Sequence, residues 1–263
     1  MNTMVMDKTA DKSRIGKMSD VEAQMRRDLA ACYRLVALYG WDDMLATHIS
    51  ARLPDEDGKE CFLLNPLGLM FEEITASSLV KVNMDGEIIS DTPYKVNRAG
   101  FVIHSAVHAA RHDAGCVIHL HTLDGVAVSA TEDGILPLNQ NSMTIGSKVG
   151  FHEYEGVATN EEERARLAKD LGDKPLMLLR NHGTLSVGPS IASAFTLIYL
   201  LETACTIQVR TLAMGQKLHA ADPKVIAETG KMMEDFNIAS YADAMVWPAM
   251  LRKLDRENPG YAD

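Results

Sequence analysis

Residues 116–121 read Cys-Val-Ile-His-Leu-His, and residues 176–183 read Leu-Met-Leu-Leu-Arg-Asn-His-Gly. Each opens as a short, mostly apolar run of the length of a buried strand rather than of a helix. In the first, the alternation of a strand puts His119 and His121 on one face, with Ile118 and Leu120 on the other. In the second, His182 falls just past the strand end, beside Gly183, where the chain can turn sharply. If the two strands are neighbours, three imidazoles meet. Three protein ligands with an open position are the pattern of a catalytic rather than a structural zinc site. A His-x-His pair is equally well a pair of hydrogen-bonded core histidines, and spacing alone leaves both readings open. His104, His108 and His112, four apart along one predicted helix, form a rival set of a kind that can bind zinc.

The flanking sequence supplies the frame. Residues up to about Lys17 lack periodicity and read as a tail (1–18), ahead of a single domain over 19–263. Ser19 and Glu22 have the spacing of a capping box, before a helix running to about Tyr39 and ended by Gly40. His48–Leu53 and Cys61–Leu64 read as short strands, and Val80–Val82 with Glu87–Ile89 flank Asp85-Gly86 as a hairpin. A helical period follows from about Ala99 to His112, and a helix around Gly125 to Thr131 follows the histidine strand. The stretch from there to Tyr154 reads as irregular. Thr159 or Asn160 would cap a charged helix ending near Leu171. Beyond His182 the chain reads as mainly helical: from about Ser190 to Met214, after Asp222-Pro223, and near Tyr241 to Leu254. The expected fold is α/β, a mostly antiparallel sheet flanked by helices.

Composition narrows the function. With 26 basic and 36 acidic residues the net charge is -10, and no basic stripe is present, so a nucleic-acid partner is not expected. Cys32, Cys61, Cys116 and Cys205 are scattered, without a Cys-x-x-Cys pair, and read as buried, reduced residues suited to the cytoplasm. The apolar stretch from Ile191 to Leu201 is too short to cross a bilayer, so no membrane association is expected.

The segments AGFVIHSAVHAARHDAGCVIHLHTLDGVAVSA, LLRNHGTLSVG and IQVRTLA resemble the class II aldolase/adducin family, and more closely its adducin-head-like bacterial members than the sugar-phosphate aldolases. The resemblance spans roughly residues 20 to 215. It implies the class II aldolase α/β/α fold, with His119, His121 and His182 holding one divalent ion, zinc being favoured. It also implies metal-dependent lyase chemistry on a small hydroxy-carbonyl, sugar-acid or sugar-phosphate substrate, in which the metal stabilises an enediolate. Such chemistry needs a proton-transfer group. The family's catalytic glutamate corresponds to Gly100 here. Its phosphate cradle corresponds to Arg98 and Ala99, to Leu67-Gly68, and to His48-Ile49-Ser50 in place of Asn-x-Ser. Ser50, Gly68 and Arg98 are therefore the candidate substrate-binding positions, and Glu153 and Tyr154 the candidate acids or bases. Tyr241 and Trp247 are candidates to close the pocket or to pack in the core. The family commonly forms homotetramers, so a homo-oligomer is expected. The altered glutamate position keeps a non-catalytic, self-associating scaffold in view. Animal adducins carry a long tail acting on actin and spectrin, whereas this sequence stops at Asp263, and an actin role is not expected.

Overall fold

The structure is a computed structural model that describes residues 5–6, 18–56, 59–156 and 162–263. For Val5, Met6, Asp55, Glu56, Lys59, Arg98 and Ala99 it describes the backbone alone. Seven strands form one sheet: β2 (His48–Glu56), β3 (Lys59–Leu64), β4 (Val80–Asn83), β6 (Cys116–Leu120), β7 (Val149–His152), β8 (Leu176–Leu179) and β9 (Gly183–Gly188). Their order is β4-β3-β2-β6-β9-β8-β7, antiparallel throughout except for the parallel β7–β8 pair. A short second ladder joins β1 (Val5–Met6) to β5 (Val96–Asn97), so part of the expected tail is paired; the rest of it lies outside the described residues.

Alternation along the strands sorts the layers. Ile49, Ala51, Leu53, Cys116, Ile118, Leu120, Leu176 and Leu178 face a core shared with α1 (Asp20–Leu38) and α6 (Ile191–Ala213). Val117, Met177, Leu179, Leu185 and Val187 face the opposite way, against α2 (Arg98–Ala110) and α5 (Glu163–Leu171). The result is three layers, helix, sheet and helix, with both sheet faces covered.

α6 has 23 residues, and its most apolar window has a mean hydropathy of 1.4, enough by length and composition to cross a membrane. Two thirds of that window is buried against the sheet, as the core helix of a layered domain requires. The four cysteines are all buried, and none is in a disulfide.

Several local expectations differ from the fold. Ser19 caps α1 through its hydroxyl and the Glu22 amide, at 3.2 Å, but no reciprocal capping box closes. The Glu22 carboxylate instead reaches Arg26 and Lys81, at 2.8 Å each, because two cations outcompete one backbone amide. The Glu87–Ile89 half of the hairpin contributes only the single bridge Val82↔Ile88. The helix expected around Gly125 to Thr131 forms as α3 (Leu123–Ser129), and the stretch beyond it to Tyr154, expected to be irregular, holds α4 (Gln140–Ile145) and β7. The expected caps Thr159 and Asn160 lie outside the described residues. After Asp222, α7 (Pro223–Asp235) forms with Pro223 in its first turn, followed by α8 (Ile238–Tyr241), one π-helical turn and α9 (Trp247–Glu257).

The main correction concerns β9, read from sequence as a turn running into helix. It lies between β6 and β8, so the two strands that carry the histidines are not neighbours. β8 and β9 make a tight hairpin whose connection, Arg180-Asn181-His182, holds Asn181 left-handed at φ 56°. Asparagine tolerates that region better than most residues with a Cβ. The hairpin therefore carries His182 back to β6.

Candidate metal centre

His119 is the penultimate residue of β6 and fully buried; His121 lies one residue past the strand, and His182 sits in the β8–β9 connection. The His121 and His119 Nε2 atoms stand 2.9 Å apart, and those of His119 and His182 3.3 Å. One ligand atom from each of the three falls within 4.8 Å of the other two. Gly183 makes this possible. A Cβ there would stand 2.2 Å from the Leu120 carbonyl oxygen, so β9 crosses close against the end of β6 only as glycine.

Hydrogen bonds behind the rings decide which nitrogens are free. His119 Nδ1 lies 2.9 Å from the Thr184 carbonyl oxygen, which can only accept, so Nδ1 carries the proton. His121 Nδ1 faces Asp43 Oδ2 at 3.1 Å and donates in the same way. Both Nε2 atoms are then bare lone pairs pointed at each other. Burial, reinforced by the neighbouring imidazoles, holds His119 well below the ordinary histidine range, and pushes His182 down to about 4. Neutral imidazoles converging lone pair to lone pair repel one another unless a cation lies between them. The donor set thus fits one divalent ion, with three ligands and an open side, since His121 and His182 are only partly buried. Among the described residues this is the one cluster of that kind.

A layer of supporting residues was not legible in the sequence. Glu202, buried within α6, accepts short hydrogen bonds from Thr122 Oγ1 and Thr184 Oγ1, the residue following His121 and the residue whose carbonyl orients His119. Burial, opposed by the two hydroxyls, pushes Glu202 up to about 7 from its ordinary 4.5. The folded protein therefore holds this proton more tightly than the unfolded chain. Its stabilising contribution is complete below pH 4.5 and is lost as pH rises through 7. Glu202→Gln is expected to flatten that dependence and to gain roughly 2–3 kcal/mol over wild type at pH 8, read from urea midpoints between pH 5 and 8. A parallel pH trend in the variant would rule Glu202 out as the source. Asp43→Asn is expected to weaken metal binding by about 10–100-fold, as the loss of a carboxylate behind a histidine ligand does. A competition titration against a chromogenic chelator measures it, and an unchanged affinity would refute the role.

Ser50 is fully buried, its hydroxyl shared between His104 Nδ1 and His108 Nε2 (2.7 Å to the latter), so it opens on no cavity. Gly68 is exposed in a turn at φ 103°. The Arg98 side chain lies outside the described residues. Glu153 is 86% exposed, 4.0 Å from Arg180 Nε. Tyr154 brings its ring centroid to 6.3 Å from that of His182. Both line a small cavity with His152, Glu163 and His182. Trp247 is buried and donates to Asp28 at 2.9 Å, while Tyr241 packs on Phe236. His112 lies beyond the end of α2 with its side chain 86% exposed, so the rival set of His104, His108 and His112 does not assemble.

Comparison with known proteins places this architecture. The family model of the class II aldolase and adducin N-terminal domain matches residues 27–209, and the chain belongs to that family. A Caulobacter vibrioides relative, named for aldolase class 2 without a substrate, is 52% identical over 94% of this chain and 95% of its own. Rat alpha-adducin is 46% identical over 80% of this chain, which corresponds to 28% of the adducin. Among solved structures, an L-fuculose 1-phosphate aldolase from Glaciozyma antarctica superposes with a TM-score of 0.77 at 28% identity, covering 94% of this chain and 98% of that one.

Proposed function

We propose that this chain is a metal-dependent lyase that cleaves or forms a carbon–carbon bond beside the carbonyl of a small hydroxy-carbonyl, sugar-acid or sugar-phosphate compound. The observation that carries the reading is the convergence of the three Nε2 atoms on one point with an open side. A bound divalent ion, zinc by its imidazole set, would supply Lewis-acid polarisation of the carbonyl. His119, His121 and His182 would hold that ion, while Thr184 and Asp43 fix the ring tautomers and so keep the donors aimed. Full-length likeness to an L-fuculose 1-phosphate aldolase supports an aldol-type reaction.

A second reading, a non-catalytic self-associating scaffold, draws on the higher identity to alpha-adducin and on Gly100, a residue that cannot move a proton. The two are separated by turnover. Protein with one equivalent of metal is expected to release an aldehyde from at least one member of a panel of hydroxy-aldehydes, hydroxy acids and sugar phosphates. Fully metallated protein that turns over none of them would leave the scaffold.

A homo-oligomer forms part of the proposal. Met44 and Leu45 follow Asp43, Leu123 follows the His121-Thr122 pair, and the three are 72%, 38% and 90% exposed. These apolar side chains beside the ligands are a surface that a second subunit would cover. Light scattering after gel filtration is expected to give a mass of two or more chains; a monomer at micromolar concentration would remove this part.

A further inference from the structure

A second group of histidines, adjacent to the three ligands, has an arrangement that holding a metal does not explain. His48 pairs across the sheet with His119, their ring centroids 5.1 Å apart, and is only 3% exposed. Its Nδ1 lies 2.8 Å from His104 Nε2. His104 Nδ1 bonds the Ser50 hydroxyl, which lies 2.7 Å from His108 Nε2, and His108 Nδ1 lies 3.0 Å from the Ala114 carbonyl oxygen. His104, Ser50 and His108 have no exposed surface. Strand alternation puts 48 and 50 on one face of β2, and the four-residue spacing of α2 puts 104 and 108 opposite them.

The protons along this chain have one consistent placement. A carbonyl only accepts, so His108 Nδ1 donates to Ala114 and His108 Nε2 is an acceptor. Ser50 donates its single proton there, and its oxygen accepts from His104 Nδ1. His104 Nε2 is left to accept from His48 Nδ1. All three rings are 3% exposed or less, and among the described residues no carboxylate bonds any of them, so they are neutral. His48 Nε2 therefore carries a lone pair and no proton. Among the described residues it has no hydrogen-bond partner, yet it is not one of the unpartnered side-chain atoms sealed from solvent. The ring rests on Gly100: a Cβ at that position would stand 2.8 Å from His48 Cδ2 and 2.9 Å from Cγ.

We propose that His48 is a further substrate-contacting residue, whose Nε2 accepts a hydrogen bond from a hydroxyl of a ligand held at the three-histidine centre. His104, Ser50 and His108 are positioning residues that hold its tautomer, and Gly100 is the seat of the ring. The consequence is a substrate preference. An uncharged acceptor rewards a hydroxyl donor at this place and disfavours a phosphate oxygen, which would set lone pair against lone pair. The proposal rests on the metal-centre reading and narrows its substrate class to polyhydroxy compounds with a free hydroxyl at this position.

The test uses the full chain loaded with cobalt, whose visible spectrum reports ligand binding without turnover. The probes are acetohydroxamate and glycolohydroxamate, two chelators that differ by one hydroxyl. Wild type is expected to bind glycolohydroxamate about tenfold more tightly than acetohydroxamate. His48→Phe is expected to bring that ratio to about one while leaving cobalt content and acetohydroxamate affinity unchanged. Gly100→Ala, which displaces the ring without removing it, provides a second variant and is expected to lower the ratio as well. A ratio preserved in both variants would overturn the His48 role and leave the metal centre standing. Failure of wild type to hold cobalt, or to bind either probe, would overturn the centre and the His48 role with it.

Discussion

His182→Ala is expected to cost the protein its stoichiometric metal while leaving the fold intact. The ring sits in a surface connection and is only partly buried, so its loss opens no core cavity. It supplies one of three donors, and losing even a partner behind a ligand costs about 10–100-fold in affinity, so the loss of the ligand itself should exceed 100-fold. Linkage makes this visible as stability. An ion present at 100 times its dissociation constant contributes about 2.7 kcal/mol to the folded state, which in a chain of this size is roughly 5–10 °C in Tm. A chelator is therefore expected to lower Tm in wild type by that amount and to leave His182→Ala unmoved. Elemental analysis gives the second reading. Equal metal in wild type and variant would mean that the three rings are not the ligands, and the lyase proposal would lose its basis.

Gly183→Ala is expected to be the most damaging single methyl in the region. The added carbon would stand 2.2 Å from the Leu120 carbonyl oxygen and 3.1 Å from His121 Cδ2. The first of these is backbone in a paired strand and cannot swing aside. Relief requires parting β6 from β9 where Leu120 pairs with Thr184, which also disturbs the carbonyl that orients His119. A loss of about 3–4 kcal/mol is expected from the urea midpoint, together with loss of metal. Gly146→Ala is the control. Nothing lies within 4 Å of its added Cβ, and a change within about 0.5 kcal/mol is expected. If the two variants behaved alike, the close crossing of these strands would not be what seats His182.

The two predictions differ in how far the sequence foretells them. Both histidine motifs, the same-face geometry of His119 and His121, and the turn at His182 follow from a period of two and from a glycine beside a strand end. The rival helix set failed for a local reason: α2 stops at Ala110, so His112 never reaches the face that His104 and His108 share. Glu202 and Asp43 carried no signal, because a lone carboxylate in an apolar helix or a loop has no spacing partner. His48 and Ser50 did carry one. They repeat on a strand the same two-residue spacing as His119 and His121, and His104 with His108 supply the matching helical period. The pattern becomes informative only when β2 is known to pack under α2.

Local periodicity and covalent geometry alone thus determined most of the helices and the two histidine-bearing segments, which side chains share a face, and which histidines are candidates, but not α4, β7 or β9. Side-chain direction repeats every two residues in a strand and every three to four in a helix, and both can be counted along the chain. The order of strands depends on non-local burial, in which β9 inserts between β6 and β8 to complete the ladder and cover two apolar faces. That insertion joins rings more than sixty residues apart. It also orients them, because the carbonyl that sets the His119 tautomer belongs to the inserted strand.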